Sequence, residues 1–242
     1  MLLLWSSAFW IGMLKIVWVN ILLSGDNAVV IALASRSLPP SQQKHAVVWG
    51  SVAAIAMRVV LTIFAVQLLQ LPWLKAIGAV LLLWIGIQLL TDNGDDEDVK
   101  EAGSLLAAIK TILIADLVMS LDNVLAVAGA ADAAPPEAKI TLLVIGLALS
   151  IPIVIFGSGI VLKAMDRFPV IITLGAMLLG WIAGEMLDKE EAVASAISHS
   201  TYMHWMLPAS GALLVMIIGK LMARSSRDEV FEPQVAEAAA ED

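Results

Sequence analysis

Apolar residues fill this chain in long blocks, not in the alternating pattern of a half-buried strand or the three-to-four spacing of a half-buried helix. Seven blocks are long enough, or nearly so, to cross a hydrocarbon core roughly 30 Å thick. They lie near 9–34, 44–69, 72–91, 105–130, 138–162, 168–187 and 207–223. Lipid offers no partner to a backbone N–H or C=O, so each block is predicted to be a helix. Pro39-Pro40, Pro72, Pro135-Pro136, Pro169 and Pro208 fall at or near the proposed ends, where a missing N–H costs little. Pro152 falls inside the fifth block and predicts a kink there.

Polar residues separate the blocks and give the chain a direction. Near the block ends, Arg36, Lys44, Lys100, Lys110, Lys163, Arg167, Lys220, Arg224 and Arg227 fall on one side, and Lys15, Lys75, Lys139 and Lys189 on the other. The more basic side is expected to be cytoplasmic. That puts the N-terminus outside and the C-terminus inside a cytoplasmic membrane. The opening Met1-Leu2-Leu3-Leu4-Trp5 lacks a positive n-region, and is read as leading into the first retained span rather than as a cleaved signal.

The blocks repeat. Asn20-Ile21-Leu22-Leu23-Ser24-Gly25-Asp26-Asn27 parallels Asp116-Leu117-Val118-Met119-Ser120-Leu121-Asp122-Asn123, and Gly50 and Gly146 keep the same offset of 96. One residue further out of register, Pro72, Gly78-Ala79, Trp84-Ile85 and Gln88 parallel Pro169, Gly175-Ala176, Trp181-Ile182 and Glu185. Leu and Ile matches between apolar segments are cheap; Pro, Gly, Trp and Asp-Asn at a fixed offset are not. Three helices is an odd number, so a second copy enters the membrane upside down, which is a transporter architecture with its site at the repeat interface. The expected fold is an all-α polytopic membrane protein of seven transmembrane helices. It divides into a first three-helix repeat (9–91), an acidic cytoplasmic loop (92–104), a second, inverted repeat (105–187), a seventh helix (207–223) and an acidic tail expected to be disordered (224–242).

Composition agrees and narrows the chemistry. Hydrophobic residues make up 60% of the 242 and charged residues only 15%, against about 25% charged in a soluble domain. No cysteine is present, which excludes disulfides, thiolate metal sites and thiol catalysis. The net charge of -8 resides mainly in Asp92-Asn93-Gly94-Asp95-Asp96-Glu97-Asp98 and in the tail from Asp228, and no basic patch offers itself to nucleic acid.

A carboxylate in hydrocarbon costs roughly 2.5–3.5 kcal/mol, so Asp26, Asp116 and Asp122 need a reason. Asp116, Ser120 and Asn123 recur at i, i+4 and i+7, which is one helical face, and Asn20, Ser24 and Asn27 do the same in the first copy. Asp26 and Asp122 lie just beside that face. A local unwinding at Ser24-Gly25 would bring Asp26 in; Leu121 weakens the same argument in the second copy. Carboxylate, amide and hydroxyl oxygens without sulfur suit a hard divalent cation such as Mg, Ca or Mn. No histidine is expected within a span, which argues against Zn, Cu or Ni. The bland reading is that Ser and Asn only tie helices together; such ties need no carboxylate. Arg58 is the only candidate for a buried cation, either neutralising an aspartate when no ion is bound or snorkelling to the interface. Gln88 and Glu185, at matched repeat positions, are weaker candidates for lining the pathway. The acidic loop gathers cations at the cytoplasmic mouth or is simply solvated, and lacks the full EF-hand pattern. His199 and His204 flank Tyr202 as a possible outer metal contact, with the tryptophans near span ends as interface anchors.

Ser24-Gly25-Asp26-Asn27-Ala28 and Asp116-Leu117-Val118-Met119-Ser120-Leu121-Asp122-Asn123 resemble the motifs of the TerC family of integral membrane proteins, named for tellurium resistance, over roughly residues 9–223. The resemblance implies a non-enzymatic exporter of divalent metal, chiefly manganese, from the cytoplasm, and a kinship with the wider lysine-exporter superfamily. Some family members carry an acidic residue where Asn20 stands, so the charge of the two halves is not symmetric here. The expected site comprises Asp26, Asn27, Asp116, Asp122, Asn123 and Asn20, with Ser24, Ser120, Arg58, Gln88 and Glu185 in secondary roles. Its partners are the lipid bilayer and Mn²⁺ as transported ion, with no prosthetic group; self-association is left open. The competing readings are a proton-coupled exporter of another small solute, a Ca²⁺ or Na⁺ transporter and, more remotely, an intramembrane aspartyl protease using Asp26 and Asp122 as a shared-proton dyad.

Overall fold

The computed structural model describes residues 10, 11, 13, 14, 17, 18, 24–64, 71, 73–91, 101–131, 139–190, 192, 193 and 203–238. Every element among them is a helix: α1 (Ser24–Ser35), α2 (Pro40–Ile63), α3 (Leu74–Thr91), α4 (Glu101–Ala131), α5 (Lys139–Ala148), α6 (Ser150–Arg167), α7 (Val170–Asp188) and α8 (Met203–Ala238). Five helical runs, 40–63, 74–91, 143–167, 170–188 and 204–224, are long and apolar enough to cross a membrane. With α1 and the 31-residue α4 they occupy all seven expected blocks. Large apolar side chains face outward along them, among them Phe156, Leu106, Ile160 and Trp84, as lipid-facing surface requires.

Local chemistry sets the helix ends. Pro39 caps α2 in an extended conformation and Pro40 occupies its first turn, where the absent N–H would have had no partner. The fifth block is interrupted at Leu149, which separates α5 from α6. Pro152 explains the interruption: it has no N–H to offer the Ala148 carbonyl, and its ring crowds that oxygen. The Ser150 hydroxyl, donating to the Leu147 carbonyl at 2.5 Å, satisfies a neighbouring acceptor in the broken ladder. Helix α3 is pinned at both ends. The buried Glu190 carboxylate accepts from the Trp73 and Ala76 N–H groups, each at 3.3 Å, and Arg36 Nη2 donates to the Leu89 carbonyl at 2.9 Å.

The packing carries the mark of the repeat. Helix α2 packs on α4 as α6 packs on α1, and α3 meets α4 as α7 meets α1. Helices α3 and α7 pair with each other, and the repeat-matched residues Ala79 and Ala176, and Leu82 and Leu179, are each fully buried there. A Cβ on Gly78 would strike Val118 of α4, and one on Gly175 would strike Val29 of α1, so matched glycines face matched helices. Helix α8 lies against α7 and α3. Gly180 and Gly184 of α7 allow it so close that an added Cβ would sit 2.4 Å from the Gly211 carbonyl oxygen or 2.3 Å from that of Leu207.

Helix α8 continues to Ala238, beyond the block expected at 207–223. Against the expectation of no histidine in a span, His204 opens the apolar run 204–224 and α2 contains His45. It sits in the second turn, exposed, its ring nitrogen 2.9 Å from the Ser41 carbonyl, at the end of the span and away from its polar centre.

Candidate functional site

Asp116 is the midpoint of α4 and is buried, as is Arg58 on α2. Arg58 Nη2 donates to Asp116 Oδ1 at 2.5 Å, and Nε donates to Ser120 Oγ at 3.0 Å. The Ser120 hydroxyl donates in turn to Asp116 Oδ2 at 3.3 Å, closing a three-membered network on one face of α4. Arg58 is 4% exposed and Asp116 8%, so neither charge has water to fall back on, and each is tolerated only because of the other.

Beside this network is a cavity of about 10 Å³, room for one particle the size of a water molecule or a bare ion. Asn27 and Ile31 of α1 line it, with Ser51, Ala54, Ile55 and Arg58 of α2, Asp116 of α4, and Ser150 and Val154 of α6. Two of these pairs, Ala54 with Ser150 and Arg58 with Val154, obey the offset of 96 that relates Gly50 to Gly146. The cavity therefore lies where matched helices of the two repeats face each other. The Ser51 hydroxyl, 1% exposed, finds no protein partner there. The break before Pro152 leaves Ser150 on the cavity wall.

The structure thus brings Arg58, Asp116, Ser120 and Asn27 together. Asp26 is half-buried, its Oδ1 accepting from the Asn27 N–H at 2.9 Å, and it does not line the cavity. Asn123 is half-buried further along α4. The side chains of Asp122 and Ser24, all of Asn20 and His199, and the loop from Asp92 to Asp98 lie outside the described residues. Among the described residues no group of three His, Asp or Glu side chains stands close enough to hold a metal, so any ion held here would draw on amide and hydroxyl oxygens as well as carboxylate.

Three candidates stand elsewhere. Gln88 is exposed. Glu185 accepts from Trp181 Nε1 at 2.8 Å and pairs loosely with Lys189 at 3.9 Å, at the far end of α7 from Val170. His204 bonds Asp188 at 2.6 Å near the same end. Conversely, Ser51 and Ser150 line the cavity unannounced. A lone serine on an apolar helix carries no signal; only their positions, beside Gly50 and at the repeat mate of Ala54, pointed to them.

Comparison with known proteins bears on the whole chain. The family model "Integral membrane protein TerC family" matches residues 5–227. The chain is 41% identical to the uncharacterized membrane protein YjbE of Bacillus subtilis over 207 residues, 86% of this chain and 93% of that one. It is 26% identical to the uncharacterized membrane protein YceF of the same organism, over 81% of this chain and 77% of that one. A shorter stretch of 88 residues, 35% of this chain and 25% of the relative, is 32% identical to the tellurium resistance protein TerC of an Alcaligenes species. No solved structure matches.

Proposed function

Since the chain belongs to the TerC family of integral membrane proteins, and buries a polar cavity with one carboxylate between its two repeats, we propose that it exports a divalent metal ion, Mn²⁺ foremost, across the cytoplasmic membrane. The observation that carries this reading is a carboxylate at mid-helix in α4, facing amide and hydroxyl oxygens from α1, α2 and α6 around a space of about 10 Å³. A space that admits one water-sized particle suits a cation stripped of most of its water. Oxygen donors without sulfur select hard ions. Asp26, Asp122, Asn123 and Asn20 complete the donor set in this reading as the ion moves along the faces of the first and fourth spans.

The chemistry is transfer, not bond-making. The chain's own residues replace the water shell of the ion, and hold it while access passes from one face to the other. Mn²⁺ is favoured over Mg²⁺ because Mg²⁺ gives up its waters reluctantly. Zn²⁺ gains most from nitrogen or sulfur ligands, which the cavity lacks. Cellular manganese, measured with and without the protein at raised external manganese, tests the reading: deletion should raise it and re-expression lower it. Unchanged manganese in both would refute it.

A further inference from the structure

The two halves share a fold and a cavity but not a charge. Under the offset that pairs Gly50 with Gly146, Arg58 pairs with Val154 and Asp116 pairs with Asn20. Both members of the buried ion pair are neutral in the other copy. The two differences coincide: the positions related by the offset to the ion pair, 154 and 20, carry Val and Asn. Nor does helix packing demand the pair, because α6 packs on α1, as α2 packs on α4, with Val154 in place of the arginine. A purely architectural ion pair offers no reason for this difference.

Ion transport supplies one. A carboxylate in a dry cavity stays charged only beside a cation. When the transported ion leaves, its charge must be replaced by a proton, by a second ion or by a cation built into the protein. Arg58 Nη2 stands 2.5 Å from Asp116 Oδ1 and its Nε holds the serine that bonds Oδ2, so both carboxylate oxygens are engaged, one by arginine directly and one through Ser120. Arginine keeps its charge at any physiological pH, unlike a buried lysine.

We infer that Arg58 is a built-in counter-ion: it holds Asp116 while no ion is bound and gives it up to an arriving divalent cation, so the ion-free carrier returns with neither a proton nor a second ion in the site. This rests on the cation-transport reading above. The free energy of ion binding is then the difference between two cations competing for one carboxylate, which keeps release possible from a site that strips the ion. The unpartnered Ser51 hydroxyl is on hand to receive the ion beside Asp116.

The test compares two transport modes of the full-length protein in liposomes. Net uptake of Mn²⁺ into empty vesicles requires the ion-free step; isotope exchange with Mn²⁺ on both sides does not. In Arg58→Gln, net uptake should fall about tenfold or more, and several-fold further than exchange, which slows only as far as tighter binding slows release. Arg58→Lys should keep both modes at low pH and lose net uptake, not exchange, as the pH rises and the buried amine gives up its proton; this variant carries the test if the glutamine variant does not fold. Equal loss of both modes in a folded Arg58→Gln protein, no loss in either, or pH-independent net uptake in Arg58→Lys would overturn the inference. A wild type that moves no divalent cation in either mode would instead overturn the cation-transport reading itself.

Discussion

Removing Arg58 alone should be far more damaging than removing it together with Asp116. The guanidinium donates two hydrogen bonds, at 2.5 Å to Asp116 and 3.0 Å to Ser120. Arg58→Val leaves the Asp116 carboxylate buried at 8% exposure, with a single 3.3 Å bond from Ser120. Breaking such a pair from one side costs about 3–5 kcal/mol, because the remaining charge is uncompensated. That is a large share of the 5–15 kcal/mol by which a typical folded protein is stable. Asp116→Asn keeps an acceptor but strands the guanidinium, and should cost a similar amount. The double variant Arg58→Val/Asp116→Asn installs the residues that Val154 and Asn20 already supply in the other repeat. Replacing both charges is often neutral, so its cost should be within about 1–2 kcal/mol of wild type. Reversible unfolding in mixed micelles, followed by circular dichroism or tryptophan fluorescence, gives the four corners of the cycle. The expected coupling is about 3 kcal/mol or more. Single variants that each cost less than about 1 kcal/mol and simply add would refute the claim that the two charges depend on one another.

Gly180→Leu or Gly184→Leu should separate α8 from α7, because even a Cβ there meets backbone at 2.4 or 2.3 Å, whereas Gly25→Ala meets nothing within 4 Å and should be tolerated structurally; proteolysis of the seventh helix from the bundle reads the difference. Asp26→Asn and Asp122→Asn should each abolish manganese efflux at normal expression, while Asn20→Ala should be milder, since water can replace a neutral ligand; normal efflux in both aspartate variants would remove those residues from the pathway. A reporter active only outside the cytoplasmic membrane, fused after Asp242, should be silent, and strong activity would reverse the assigned orientation.

The helices were legible because lipid leaves the backbone no alternative to internal hydrogen bonding, so block length alone defines the element. The repeat was legible because Pro, Gly and Asp-Asn at fixed offsets are rare accidents, and the paired burial of Leu82 and Leu179 shows the matched faces meeting. Pro152 foretold a disturbance, which lies at Leu149 because a proline disrupts the turn before itself. The face shared by Asp116 and Ser120 followed from helical spacing. Their meeting with Arg58 did not: 58 residues separate Arg58 from Asp116, and the sequence left snorkelling open as an alternative. Glu185 stands apart from the cavity. Its match to Gln88 placed it at an equivalent position but not beside the cavity, and Trp181 and Lys189 take its oxygens instead.

Transport by the purified protein in sealed vesicles tests the central claim most directly. With Mn²⁺ outside and an indicator within, the protein should admit Mn²⁺, Asp116→Ala should not, and Mg²⁺ should compete only in large excess because it parts with its waters reluctantly. Zn²⁺ should be the poorer substrate. Equal competition by Mg²⁺ would mean that the ion crosses hydrated, against the small cavity beside Asp116; no Mn²⁺ entry above protein-free vesicles would contradict the account.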